Sequence, residues 1–366
     1  MDRMKTIMNM KKSYLVFSLA ISLLSSSLAF AAEYPYIYKG PRPMGMGGAF
    51  IAVSNDANAL FYNPAGLAYV PEQNATSVSL VIETSRDAVS AYKDALDVSF
   101  DDPRETADFL RDYIGENNHA GIVVFPSYAK PNFAFGVFAV GKSDFTAHDY
   151  QFPKLELSSL NDVGVAAGFA RSFLEEKLSL GATGKLVMRK SLNRIYTLPE
   201  LTTGDLEDKL RDDSEDGFGV LLDIGTIYRI GEITTGDGTT IQAQAGLSVS
   251  NLIGSSMGDA EDITEHVDAG IACKSENLTL AIDYIDILNN FDQDSDIPKR
   301  ISLGLEYIYD KKYALRTGLH QGYPTYGLGL LGERVRLDLL TYVEEIGTYS
   351  GQQKSRRYAF SFAFGF

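Results

Sequence analysis

Arg357-Tyr358-Ala359-Phe360-Ser361-Phe362-Ala363-Phe364-Gly365-Phe366 ends the chain, and its reading decides the fold. Tyr358, Phe360, Phe362, Phe364 and Phe366 fall on one side of a two-residue period, and Ala359, Ser361, Ala363 and Gly365 fall on the other. A helix, with its 3.6-residue period, would scatter the aromatics around its axis, whereas a strand puts them all on one face. A wholly aromatic face opposite a face of small residues suits a strand with an apolar solvent on one side.

Working outward from this strand, the same alternation recurs through the chain. Between Gly217 and Ile230 the even positions hold Phe218, Val220, Leu222, Ile224, Thr226, Tyr228 and Ile230, while the odd ones include Gly217, Gly219, Asp223, Gly225 and Arg229. Leu278, Leu280, Ile282 and Tyr284 alternate with Thr279, Ala281 and Asp283, and Ile301 to Tyr309 repeats the pattern. The segments number fourteen: 75–84, 119–128, 132–142, 160–172, 178–190, 217–230, 239–252, 263–274, 277–288, 298–309, 312–320, 324–332, 334–345 and 355–366. Connections after odd-numbered segments are mostly long, and those after even ones are as short as Ser275-Glu276 or Asp310-Lys311. An even count, with short turns at one end and long loops at the other, is the pattern of a transmembrane antiparallel β-barrel. Charge facing lipid at the midplane costs about 2–4 kcal/mol for Lys or Arg, so Lys185, Arg189, Asp223, Arg229, Asp283, Glu306, Arg336 and Asp338 are expected to face the interior, which also fixes register.

The amino terminus agrees. Arg3, Lys5, Lys11 and Lys12 precede an apolar run from Tyr14 to Leu24, and Ala29-Phe30-Ala31 follows, which is the order of a secretory signal ending at residue 31. No later stretch is long and apolar enough to cross a bilayer as a helix, so crossing is left to strands. The expected organisation is a signal peptide over 1–31, a separate segment over 32–74 and a barrel over 75–366, placed in a bacterial outer membrane. The formal net charge is −15, and removing four basic residues and one acidic residue with the signal makes it more negative, which argues against nucleic-acid binding. Cys273 is the single cysteine, so no disulfide forms within the chain, and it reads as a small buried or lipid-facing residue.

Residues 32–74 do not alternate. They run Gly40-Pro41-Arg42-Pro43-Met44-Gly45-Met46-Gly47-Gly48-Ala49-Phe50, then on to Asn55-Asp56-Ala57 and Asn63-Pro64-Ala65-Gly66-Leu67, rich in small residues and turn formers yet too apolar for a disordered tail. A plug inside the barrel is the expected place for such a segment. The order Gly-Gly-Ala-Phe, Asn-Asp-Ala, Asn63-Pro64-Ala65 resembles the N-terminal hatch of the FadL-type long-chain fatty-acid transporters, a pattern shared with PorV-type barrels. That resemblance covers residues 40–70 and the last strand. It implies a fourteen-stranded barrel plugged by a hatch, passive uptake of hydrophobic small molecules from outside and sideways release through the wall. It assigns Asn63, Pro64 and Ala65 to folding or gating of the hatch; an Asx-Pro turn ahead of a short helix accounts for them as well. The aromatic terminus resembles the signal read by barrel-assembly machinery, which with outer-membrane lipid and a hydrophobic ligand completes the expected partners. A second, weaker similarity links Glu344-Glu345-Ile346-Gly347-Thr348-Tyr349 and Arg356-Arg357-Tyr358 to TraF-like barrel proteins. The alternative function is a PorV-like structural or secretion-associated barrel that binds protein partners.

Other motifs carry less. Gly45-Met46-Gly47-Gly48 lacks the strand and spacing of a phosphate loop. Asp212, Ser214 and Asp216, and Asp292, Asp294 and Asp296, lack the closing Glu of a calcium loop and read as solvated acids; no metal and no cofactor is expected. Asp102-Pro103-Arg104-Glu105 predicts a helix over 103–114 in the first long loop. His119, His148, His266 and His320 are scattered and no Gly-x-Ser-x-Gly occurs, so an enzyme is not expected. A kink in a wall strand near Gly164 or Gly168 would mark a lateral exit.

Overall fold

The computed structural model describes residues 33–71, 75–236, 238–254, 256–291, 296–347 and 350–365. The expected signal segment lies outside them, as do Phe366, Asp292 and Asp294. Seven strands begin the wall: β1 (Ala75–Ser85), β2 (Asn117–Lys130), β3 (Phe133–His148), β4 (Lys154–Phe173), β5 (Leu178–Thr197), β6 (Glu215–Thr234) and β7 (Thr240–Ser250). The wall continues with β8 (His266–Lys274), β9 (Leu278–Tyr284), β10 (Ile301–Tyr309), β11 (Tyr313–His320), β12 (Tyr323–Leu331), β13 (Val335–Glu345) and β14 (Lys354–Gly365). Each strand pairs antiparallel with its sequence neighbours, and β14 closes on β1 from Ser77–Gly365 to Ser85–Arg357. This closed barrel leaves no edge with unpaired backbone groups, which is what a strand-built wall needs in lipid.

Alternation sets the two faces as expected. Tyr358, Phe360, Phe362 and Phe364 are exposed on the outside, with Ala359 and Ser361 buried inside. Cys273 is also on the outer face, in register with Leu280. The inward charges pair between strands: Lys185 with Asp223 at 2.6 Å and Arg189 with Asp162 at 2.7 Å on neighbouring strands, and Arg316 with Glu306 at 2.7 Å next door and with Asp338 at 2.5 Å across β12. Arg336 shares the inward parity of Asp338 but stays exposed at the turn end of β13. Asp310 and Lys311 make the tight turn between β10 and β11 with φ of 51° and 56°, the left-handed pair that suits a two-residue hairpin.

One region departs from the sequence-based bounds. The pattern stops β3 at 142 and starts β4 at 160, yet these strands run to His148 and from Lys154, and β4 and β5 are 20 residues long. At roughly 3.3 Å per residue such a strand is about 65 Å long, well beyond an apolar band of about 25 Å even when tilted. Its outer end therefore stands above the lipid, where polar residues can alternate with covered apolar ones. The cover comes from loop helices: α1 (Arg86–Ala95) and α2 (Pro103–Asp112) between β1 and β2, and α3 (Leu198–Leu201) and α4 (Leu206–Asp212) between β5 and β6. Asp102 caps α2 by accepting the Arg104 N–H at 2.8 Å, as the motif predicts. Phe109 and Leu110 pack with Leu206 and Leu210 onto outward-facing Leu155, Leu157, Leu192 and Tyr196, so the helices brace the outside of the wall and do not cap its mouth.

Candidate functional site

Residues 33–71 pack against the inward face of the barrel. Met46, Ala49, Phe50, Ala52 and Val53 are buried against Ala272 and Ala281, and Leu60 and Leu67 lie among Phe125, Phe138, Ala166 and Val187. Wall glycines let the segment approach: a Cβ on Gly181 would come within 2.4–2.5 Å of the Pro64 and Ala65 backbone, and one on Gly225 would meet the Asn63 carboxamide. Wall side chains satisfy its backbone. The Asp283 carboxylate accepts the N–H groups of Phe50 and Ile51 at 2.5 and 2.8 Å, and Lys274 donates to the Val53 carbonyl at 2.9 Å. The motif residues sit at the centre of this contact. Asn63 is fully buried; its Oδ1 accepts the Ala65 N–H at 3.1 Å, capping the turn Pro64–Tyr69, and its Nδ2 donates to the carbonyls of Ile51 and Thr226 at 2.9 and 3.1 Å. One side chain thus ends one turn, holds another and fastens both to β6.

The leading end of the segment is held by charge. Arg42 forks onto Glu306, with contacts of 2.7–3.1 Å, and reaches Asp56 at 2.9 Å. Nearer the outer end, Arg357 of β14, only 1% exposed, bonds Glu33 at 2.6 Å and lies 3.5 Å from Glu83 and 3.4 Å from Asp144. Lys39 pairs with both Glu33 and Glu344, and His119 stands between Glu83 at 2.8 Å and Asp144 at 3.0 Å. Burial pushes the Glu33 carboxyl up, but Arg357, Lys142 and Lys39 outweigh it and hold the group well below its ordinary range. Lys39 is opposed by burial in the same way and is raised by Glu33 and Glu344. Glu33, His119 and Asp144 bring one ligand atom each within 4.8 Å of one another, a spacing open to a metal ion. The four carboxylates Glu33, Glu83, Asp144 and Glu344 already face Arg357, Lys39, Lys142 and His119, so a dication would have to enter beside permanent cations. The arrangement is that of a charge-balanced latch.

The wall has a seam between β2 and β3. The β2–β3 ladder pairs Val124 with Ala139 and Ser127 with Gly136, but Phe125 and Pro126 are not paired with Phe138 and Val137. Pro126 has no N–H to give, so the interruption is written in the residue type. Behind the seam Tyr38, Phe61, Phe125 and Phe138 form an aromatic group with ring centroids 4.6–5.4 Å apart. Nearby is a groove of about 360 Å³ lined by Ile122, Val124, Ala139 and Val163, with Lys142, Ser143 and Asn161 also on its lining. At Gly164 and Gly168, where a kink would mark an exit, β4 is paired without a shift on both sides. The glycines there make room for Phe138, Leu60 and Leu67. Above the latch, a cavity of about 370 Å³ is lined mainly by polar groups, among them Glu33, Lys142, Thr146, Ser158, Asn193 and Arg357.

Sequence reading singled out Asn63, Pro64 and Ala65, which the structure buries against β5 and β6, and missed the latch and the seam. Glu33 and Arg357 are 324 positions apart and no local pattern links them. Pro126 inside an alternating segment was the legible sign of the seam. The histidines that look scattered in sequence each stand beside a carboxylate: His148 with Glu156, His266 with Asp268 and His320 with Glu344, besides His119.

No family model matches the chain, and no curated protein does. Solved structures do. The P. putida toluene transporter TodX aligns over 90% of this chain and 98% of its own, at 15% identity and a TM-score of 0.50. The chain has the fold of this channel. A deltaS2 mutant of TodX, described as a monoaromatic hydrocarbon channel, aligns over 89% and 97% at 13% identity with a TM-score of 0.50. A Pseudomonas aeruginosa FadL homologue aligns over 91% and 98% at 12% identity, with a TM-score of 0.35. The likeness to TodX is one of fold.

Proposed function

We propose that the protein is an outer-membrane channel for passive uptake of hydrophobic small molecules, with residues 33–71 acting as the hatch that closes its lumen. The observation that carries this reading is the seam. An apolar aromatic group inside the barrel, an unpaired stretch of wall at Phe125–Pro126 and the groove lined by Ile122, Val124, Ala139 and Val163 lie next to one another. A hydrophobic solute following that order leaves the lumen sideways and never has to cross the water beneath the barrel, so its transfer stays favourable throughout. Asn63, Pro64 and Ala65 serve the hatch by folding it, and any gating acts through displacement of the turn they cap. The chemistry is transport without catalysis. Long-chain fatty acids and monoaromatic hydrocarbons are both cargoes to be tried.

The test is uptake of toluene and of a long-chain fatty acid by liposomes holding the purified protein, with Val124 and Ala139 changed to a cysteine pair in a Cys273→Ser background. Uptake that is lost on oxidation of the pair and restored on reduction supports sideways release. Absence of uptake for every hydrophobic probe overturns the reading. The second reading, a barrel that docks protein partners, is favoured by Tyr150 and Phe152, 69% and 72% exposed on the outer turn between β3 and β4. A complex that co-purifies with the wild type and is lost in Tyr150→Ser/Phe152→Ser supports it.

A further inference from the structure

The cavity above the latch has a chemistry that apolar cargo does not explain. Strand register places its inward residues side by side: His119, Asp144, Ser158 and Asn193 are successive partners across β2, β3, β4 and β5, and one step further out Asn117, Thr146 and Glu156 are partners across β2, β3 and β4. Apart from the exposed Glu261, the ionised members of the lining are already matched. Glu33 holds Arg357, Asp144 holds His119, Glu156 holds His148 at 2.6 Å, and Arg189 holds Asp162. Away from Glu261, a charged solute finds no surplus opposite charge and gains contact only by breaking one of these pairs, which is costly in a buried site.

What remains unused is neutral. Thr146, Ser158 and Asn193 line the cavity, and among the described residues their side chains have no hydrogen-bond partner, although Thr146 is largely buried. Two hydroxyls offer a donor and acceptors each, and the Asn193 carboxamide offers two donors and an acceptor. Such groups reward a solute that brings many neutral donors and acceptors of its own, and they penalise a bare hydrocarbon that leaves them dry and unpaired. Tyr36 adds an aromatic ring to the floor. A volume of about 370 Å³ lies at the small end of the range of about 300–1,000 Å³ for ligand pockets.

We infer that this vestibule binds a neutral polyhydroxylated group, a small sugar or the sugar-like head of an amphiphile, through Thr146, Ser158 and Asn193. The inference rests on the lumen being the route of entry proposed above and adds to it a polar first stop.

The chain has no tryptophan, so Ile346→Trp at the vestibule wall gives a single fluorophore in the full-length protein held in lipid nanodiscs. Titration with methyl β-glucoside and with hexyl β-glucoside is expected to saturate the signal, and hexane is not expected to compete. Asn193→Leu is expected to weaken binding about tenfold, the loss of about 1.4 kcal/mol of hydrogen bonding. Thr146→Val is a second, nearly isosteric variant, with the heat-modified gel shift of a folded barrel required of both. Equal binding of the two glucosides identifies the sugar itself as the ligand, and clear preference for the hexyl compound identifies an amphiphile; both outcomes support the inference. No saturable response, or a response that neither variant weakens, overturns it. Hexane entry into liposomes bearing the wild type is scored separately, so uptake without glucoside binding removes the vestibule and leaves the channel, and glucoside binding without uptake does the reverse.

Discussion

The two ends of the N-terminal segment are fastened to the same barrel by different physics. From Glu33 to Arg42, ion pairs to β3, β10, β13 and β14 stand beside buried Tyr34, Ile37 and Tyr38; from Met44 to Leu67 the contacts are apolar packing, glycine-sized clearances and backbone groups met by Asp283, Lys274 and Asn63. The apolar part of that packing is insensitive to salt and pH and releases only if the whole surface parts. Charge pairs respond to both, and one partner removed leaves the other buried and unpaired. The segment is thus built with a permanent end and an adjustable one, and the adjustable end is the one beneath the vestibule.

Four experiments break or sharpen that contrast. The largest effect is expected from Arg357→Ala, which leaves Glu33, Glu83 and Asp144 without their shared guanidinium: a loss of about 3–5 kcal/mol in thermal or denaturant unfolding. Adding Glu33→Gln should recover part of it; an additive double variant would show that the two do not act as a pair. Next, Gly181→Val drives a side chain into the Pro64–Ala65 backbone and is expected to cost roughly 1–3 kcal/mol, with residues 33–71 becoming open to protease while the barrel still forms. Persistent protease protection would place the strain in the wall instead. Asn63→Ala removes a cap worth about 1 kcal/mol. It should therefore lower stability less than Gly181→Val and loosen the segment at its centre.

The smallest change is the response to pH. Glu33 is held well below its ordinary value near 4.5 by Arg357, Lys142 and Lys39 against the upward push of burial, so its contribution is present above that value and lost as pH falls below it. Lys39 is raised above its ordinary 10.5, so its contribution is present below that value and lost as pH climbs past it. Protease protection of the leading end should therefore be full between these limits and fail first at acid pH. The apolar contacts of Leu60 and Leu67 with Phe125, Phe138, Ala166 and Val187 should stay protected across the same range, and their loss together with the leading end would deny the distinction.

The barrel was legible because alternation is a local property: Tyr358 to Phe364 declare their outer face within seven residues, and every expected strand has its counterpart in the wall. The outer limits of β3 to β5 were less legible, since Leu155, Leu157 and Tyr196 are covered by helices from distant loops and follow no membrane pattern. Of the site, Asn63-Pro64-Ala65 could be seen because an Asx-Pro turn is encoded by adjacent residues, but its fastening to Thr226 could not.

By itself the sequence determined what depends on neighbours along the chain: strand period, short and long connections, the inward parity of Lys185, Arg189, Asp283 and Glu306, and a segment before β1 made for turns. Closure of the barrel decided the rest. It brought Arg357 of the last strand onto Glu33, set Pro126 opposite an unpaired stretch of β3, and aligned Thr146, Ser158 and Asn193 around one cavity. These are meetings between residues remote in sequence, fixed by register and by which side chains share an interior. Local propensity holds no record of them.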